Sequence, residues 1–489
     1  MRANLKTLSI NGVLWSASEG FGVAALSFVT FMVMARALEP RDFGVVALAG
    51  VFVFFSNLVA GHGFADAIVQ RLRLDPEHLD TAFWSTLGLS LLLTGMCQLA
   101  AEPAAGLLGE PALAEALRWL SLSLPIAAAA SIPTAVFRSD MLFAHVAICT
   151  VSGRLVGAVL GIAMALTGWG MWSLVGQQIA GTVVSAAAVA ALARWRPRLH
   201  FSFRHLREMW GFGFHVSASQ VVAGAGEQVL NLLIGALFGS TSLGYFSVAW
   251  RMAQLVRSLV SSAVYYVGLS AFSKLQDDRP AVTRAYLQST RMSCLAGFPI
   301  GAGMALLAGP MIVVLFGAKW AASAGLLAVL ALEIIPAFCS MFNSALYRAM
   351  GKPAWSLWLA LWSLCVGIGG VLLLAPFGML AIVGFWVVRA ALLVPLNVML
   401  AHRLLTAPVR RLLDPMRIPA IATGVMAAGV LGGRALLEQR GYGPVTELAV
   451  LVPLAVLLYM AAVRILSPEL AGLATRTARV MLTPARGTR

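Results

Sequence analysis

Charge is what this sequence has least of. Only 11% of its 489 residues are Asp, Glu, Lys or Arg, against about 25% in an ordinary soluble domain, and a water-facing surface of this size could not be covered by so few. Cysteines number five, at Cys97, Cys149, Cys294, Cys339 and Cys365, each in an apolar stretch and with no CxxC spacing. That excludes a disulfide framework and a cysteine metal site, and leaves them as small buried hydrophobes. No Ser/His/Asp arrangement, glycine-rich phosphate loop or metal-ligand spacing occurs, so no metal and no organic cofactor is expected. No interruption on the expected outer side is long enough to build a glycan-joining active site. Lysine is scarce beside arginine and alanine, which points to a GC-rich bacterial genome.

What is present is hydrophobic length. Sixty per cent of the residues are hydrophobic, in runs of about 20 that suffice to cross ~30 Å of hydrocarbon as a helix, the form in which backbone polar groups satisfy one another. The runs predict spans at 11–35, 43–69, 82–101, 113–136, 144–167, 170–193, 211–238, 243–272, 290–316, 322–346, 355–376, 378–401, 417–437 and 444–465. The first follows Arg2 and Lys6 as a signal peptide would, but continues to about Ala35 and is read as a retained span. The expected fold is an all-α membrane protein of about 14 transmembrane helices.

Arginine and lysine set the orientation. With the N-terminus inside, inner loops hold roughly four basic residues for each one outside, so both termini are expected in the cytoplasm. The net charge of +15 is then explained by topology and anionic lipid, and a nucleic-acid partner is not implied. The segment 468–481 carries apolar residues near helical spacing, with Arg476 and Arg479 between them, as an interfacial helix would.

The longest basic loop, RWRPRLHFSFRHLRE at 194–208, suggests a boundary, and self-similarity supports it. WSAS (15–18) precedes FGVVALA (43–49) at nearly the distance by which HVSAS (215–219) precedes LGYFSVA (243–249). QRLRLDPEHLD (70–80) is likewise similar to SKLQDDRPAV (273–282). A repeat after six helices implies two lobes related by an axis along the membrane normal. The expected organisation is an N-lobe at 1–193, a cytoplasmic loop at 194–210, a C-lobe at 211–402, two further helices within 403–466 and a basic tail at 467–489.

Chemistry is expected from charge inside the spans: Glu19, Asp66, Arg154, Glu227, Arg251, Arg257, Glu333 and Arg389. A charge at mid-membrane costs at least ~2.5–3.5 kcal/mol, so each should face a partner or a wet cavity. They can pair with one another and fix helix packing, or bind a ligand. Arg251 and Arg257, six residues apart, can line one cavity wall and suit a diphosphate, which accepts bidentate hydrogen bonds; Arg154 and Arg389 are further candidates. The acids and His62 are candidates for coupling to H⁺ or Na⁺, with His62 otherwise a plain headgroup-level histidine. Asn57 could meet a sugar hydroxyl or a neighbouring helix. Trp169, Trp172, Tyr245, Trp320 and Tyr442 suit an aromatic belt, and Pro125, Pro133, Pro299, Pro336 and Pro395 are placed to bend helices.

ARALEPRDFGVVALA (35–49), GFADAIVQR (63–71) and YRAMGKP (347–353) together resemble the polysaccharide transporter family, the Wzx-type flippases of the multidrug/oligosaccharidyl-lipid/polysaccharide exporter superfamily. The resemblance implies two six-helix lobes around a central cavity and an undecaprenyl-diphosphate-linked oligosaccharide as substrate, flipped across the bacterial inner membrane by alternating access without a covalent step. Glycosyltransferases and a polysaccharide polymerase would be its pathway partners. Related lipid II flippases carry an arginine in a motif like AWRMAQL (249–255), which gives Arg251 a diphosphate-binding role by resemblance; Glu19 and His62 stand where those proteins are basic, which favours a different glycan. Two other classes stay open: a cation-coupled drug antiporter working through acids such as Glu227 and Glu333, and a membrane ligase or polymerase.

Overall fold

The computed structural model describes residues 22–70, 76–272, 278–352 and 354–468, with side chains at 61–64, 66–67, 69–70, 76, 209–223, 259–260 and 262–272 left undescribed. Among the described residues the chain is helices joined by short turns, with no strand. Among the described residues eleven helices are long and apolar enough to cross a membrane, or twelve if one bent pair counts as a single span. The protein is a multi-pass membrane protein. The expected segment 468–481 lies outside the described residues save Pro468.

Two compact units divide the chain, Met1–Ser247 and Val248–Arg489. The first holds α1 (Gly22–Ala37), α2 (Pro40–Gln70), α3 (Pro76–Leu108), α4 (Ala112–Ser121), α5 (Ser123–Ser139), α6 (Phe143–Leu166) and α7 (Trp172–Leu192). α8 (Phe203–Phe272) runs from this unit into the next and is broken at Gly239, with φ 82 and ψ 171. That backbone region is open to glycine almost alone, so Gly239 ends one helical arm and lets Ser240 start another. The second unit continues through α9 (Arg279–Leu306), α10 (Ala308–Phe316), α11 (Ala322–Leu332), α12 (Ile334–Cys339), α13 (Asn343–Ala349), α14 (Ala354–Leu374), α15 (Met379–Leu405), α16 (Val409–Gln439) and α17 (Pro444–Leu466).

The bend between α9 and α10 has a cause in the sequence. α9 meets α10 at 73°. Pro310 lacks an N–H for the Leu306 carbonyl, and its ring would collide with that oxygen in a straight helix. The freed carbonyl is not wasted: Arg434 Nη1 in α16 donates to Leu306 O at 3.2 Å, while Arg434 Nε donates to Glu438 at 2.8 Å. A basic residue near a helix end thereby replaces the lost backbone bond, as burial in lipid requires.

Within the second unit, polar side chains knit α9, α13 and α15. Tyr286 donates to Asn343 Oδ1 at 2.7 Å, Tyr347 to Asn397 Oδ1 at 2.7 Å, and Asn397 Nδ2 to Ser340 Oγ at 3.3 Å. Such interhelical bonds contribute about 0.6 kcal/mol each in membranes, and around them pack Val282, Phe342, Leu346 and Val398. In the first unit the basic loop is docked rather than loose. Asp80 Oδ1 accepts from Arg198 N at 3.0 Å, Thr81 Oγ1 from Ser202 N at 3.2 Å, and Trp84 Nε1 donates to Arg198 O at 2.7 Å.

Candidate functional site

In the second unit the fold gathers three of the intramembrane charges. Arg257 on the second arm of α8 lies 3.7 Å, Nη1 to Oε1, from Glu333, which stands at the junction of α11 and α12. Arg389, in α15, also feels the charge of Glu333. Its guanidinium sits 4.0 Å over the Trp386 ring and donates through Nη1 to Ser363 O at 3.1 Å. Trp386 in turn meets Trp250 edge-on at 6.4 Å. Arg389 is buried, yet its Nε has no hydrogen-bond partner among the described residues. The Arg257–Glu333 pair and the buried Arg389 guanidinium thus lie in one unit with aromatic faces that suit cations.

The remaining predicted residues fall elsewhere. Arg251 precedes Arg257 by six residues, which turns it about 120° around the helix; it is exposed while Arg257 is half-buried. Arg154 is exposed on α6, the helix whose Gly153, Gly157 and Gly161 press against α7. Glu227 is half-buried on the first arm of α8 and Asn57 half-buried on α2. Glu19 and the side chains of His62 and Asp66 lie outside the described residues.

A second polar group, in the first unit, was not visible as such in the sequence. α3 ends in a Schellman-type turn, with Gly109 at φ 65 and Glu110 N donating to Ala105 O at 3.0 Å. This turn delivers the Glu110 carboxylate to Arg41, which donates from Nη2 at 2.5 Å and Nε at 3.4 Å, and to Ser240, which donates from Oγ at 2.5 Å. Burial pushes the Glu110 carboxyl up, but the Arg41 and Ser240 hydrogen bonds and the Arg41 charge outweigh it and hold it below the usual glutamate value. Beneath this bidentate pair two helix starts interlock: a Cβ on Gly44 would collide with the Ser240 carbonyl, and one on Gly244 with the Pro40 carbonyl. Positions 40 and 44 thus meet 244 and 240, the same pair of sites one repeat of 200 residues apart. Similarity of FGVVALA to LGYFSVA pointed to the repeat; nothing in it said that the copies touch.

A family model described as polysaccharide biosynthesis protein matches residues 33–325. The chain belongs to this family. It is 31% identical over 443 residues to the succinoglycan biosynthesis transport protein ExoT of Rhizobium meliloti (strain 1021), covering 90% of this chain and 88% of that one. It is 23% identical to the lipopolysaccharide biosynthesis protein WzxC of Escherichia coli (strain K12), over 73% of this chain and 71% of that one. The lipid II flippase MurJ in an inward closed conformation superposes with a TM-score of 0.76 at 15% identity, over 94% of this chain and 99% of that chain. An inward-facing multidrug resistance MATE family transporter of the MOP superfamily superposes at 0.62 and 19% identity, over 78% and 95%. The chain therefore shares the fold of these two transporters.

Proposed function

We propose that this chain is a transporter that moves a polyprenyl-diphosphate-linked oligosaccharide, the repeat unit of a polysaccharide, from the cytoplasmic to the outer leaflet of the bacterial inner membrane. The observation that carries the reading is similarity along 90% of the chain to a protein named for succinoglycan transport. No covalent step is needed, so the protein acts as a flippase rather than an enzyme. Both termini lie in the cytoplasm, the side that the basic loops favour, and the lobes 1–193 and 211–402 rock against each other to exchange the openings.

The diphosphate is held by arginine. Arg257 is paired with Glu333, and a diphosphate competes with Glu333 for Arg257 while offering an acceptor to Arg389 Nε. Trp386 and Trp250 supply aromatic surface beside it. Arg251 and Arg154 serve as further diphosphate contacts, and Asn57 as a sugar contact. The coupling ion, H⁺ or Na⁺, acts through Glu19, Asp66, His62, Glu227 or Glu333. A cation antiporter would need Glu333 as an open acid, and the Arg257 contact weighs against that reading. Glycosyltransferases and a polymerase of the same pathway supply and consume the substrate.

Reconstitution tests the proposal. Purified protein in proteoliposomes should carry a fluorescent polyprenyl-diphosphate glycan to the far leaflet under at least one imposed proton, sodium or voltage gradient. Absence of movement in every energised state would sink it.

A further inference from the structure

The sequence shows no metal-ligand spacing, but docking of the basic loop creates a ligand set. Glu77 in the first turn of α3, His200 in the loop and His205 in the first turn of α8 place one ligand atom each within 4.8 Å of one another. His200 Nε2 lies 3.5 Å from Glu77 Oε2. His205 Nδ1 is buried with no hydrogen-bond partner among the described residues. Its ring is stacked on His78 at 4.1 Å, His78 Nε2 sits 3.5 Å from Glu208 Oε2, and Arg204 Nε donates to the other oxygen, Glu208 Oε1, at 3.2 Å. The three ligands come from segments already fastened together through Asp80, Thr81 and Trp84, so little further ordering is needed to close them on an ion.

We propose that Glu77, His200 and His205 form a site for a divalent transition-metal ion of the zinc class, which clamps the basic loop to the start of α3. Two imidazoles and a carboxylate make a three-ligand set with a fourth position left for water. Imidazole selects zinc, nickel or copper over magnesium, which prefers oxygen alone and octahedral geometry. Tetrahedral bonding at about 2.0–2.2 Å sets the ligand atoms about 3.3–3.6 Å apart, so the widest pair must close by up to about 1.5 Å, within reach of side-chain rotation. The stacked His78 fixes the His205 ring, as second-sphere partners do for metal-bound histidines. Loading the site would stiffen the one segment that leads from α7 into α8.

The loop reports on the site directly, because exposed Arg198 and Arg204 lie next to the ligands and are trypsin targets. Full-length protein in detergent, purified without a histidine tag and stripped with chelator, is treated with Zn²⁺ or Mg²⁺ alone and then with trypsin. Zinc should slow cleavage at Arg198 and Arg204 by about tenfold, and His200→Ala or Glu77→Gln should abolish the effect; magnesium should do nothing. Direct metal analysis after equilibrium dialysis should show one zinc per chain lost in each variant. Cleavage that zinc leaves unchanged, or slows equally in His200→Ala and Glu77→Gln, overturns the proposal. Both substitutions are at exposed positions, and matching thermal melts of the metal-free proteins establish that the variants are folded.

Discussion

The Arg41 corner of the first unit and the Arg257 group of the second hold their charges in opposite ways. At the corner, Glu110 takes two bonds from Arg41 and one from Ser240, and every oxygen has a donor at 3.4 Å or closer. In the second unit Arg257 and Glu333 approach to 3.7 Å, and Arg389 keeps a buried Nε without an acceptor among the described residues. A carboxylate saturated by donors fixes a geometry, since exchanging any bond loses energy. A long ion pair with an unfilled donor beside it can accept a ligand at little cost. The difference separates a fastening from a binding group.

Removing the acid from each group tests that separation most severely. Glu333→Ala leaves the half-buried Arg257 without its paired carboxylate, and stability should fall by about 1–3 kcal/mol, read as a lowered melting temperature in detergent. Arg257→Ala in the same chain should restore part of the loss. Equal costs for Glu333→Ala and Glu110→Ala would erase the contrast. Transport should respond to the second unit alone: Arg389→Gln is expected to cut glycan translocation by tenfold or more, about 1.4 kcal/mol, with insertion unchanged.

The corner should fail by crowding before it fails by charge. Gly44→Val forces a side chain into the Ser240 carbonyl and should cost about 1–3 kcal/mol, whereas Ser240→Ala removes one hydrogen bond and should cost about 1 kcal/mol. The smallest effect is one of pH. Because the folded-state carboxyl of Glu110 is held below its ordinary value, its contribution is present above the unfolded-state value and is lost as pH falls through the folded-state one. The melting difference between wild type and Glu110→Gln should therefore shrink as pH drops below about 4.3. A difference that instead grows on acidification would reverse the assignment.

Helices were legible because lipid leaves the backbone few options: a long apolar run must be a helix, and the expected spans 211–238 and 243–272 part where Gly239 breaks α8, whereas the 73° bend before Pro310 falls inside the expected span 290–316, which the hydropathy pattern gives as unbroken. The hydropathy count of fourteen separates the two arms that Gly239 joins and includes a first span, 11–35, of which residues 11–21 lie outside the described residues. Charges such as Glu333 and Arg389 stand out against apolar neighbours, so their candidacy can be read from sequence. Their partners cannot, because Arg257, Glu333 and Arg389 are separated by tens of residues and meet only through packing. Arg41 shows the same blindness from the other side: it sits beside Glu39 and Asp42, and the local pattern reads as a neutral turn. Its carboxylate lies 69 residues on instead, while Asp42 caps Glu39 N at 3.0 Å. His200 and His205 went unread because their third partner, Glu77, comes from another helix.

The interlocked starts at 40–44 and 240–244 have the form of an isologous interface, in which each copy of a patch grips the same patch on the other. Such a contact works without the peptide that joins the copies. The two copies nonetheless differ at the matching position: Pro40 gives one start a fixed φ, and Ser240 gives the other a hydroxyl for Glu110.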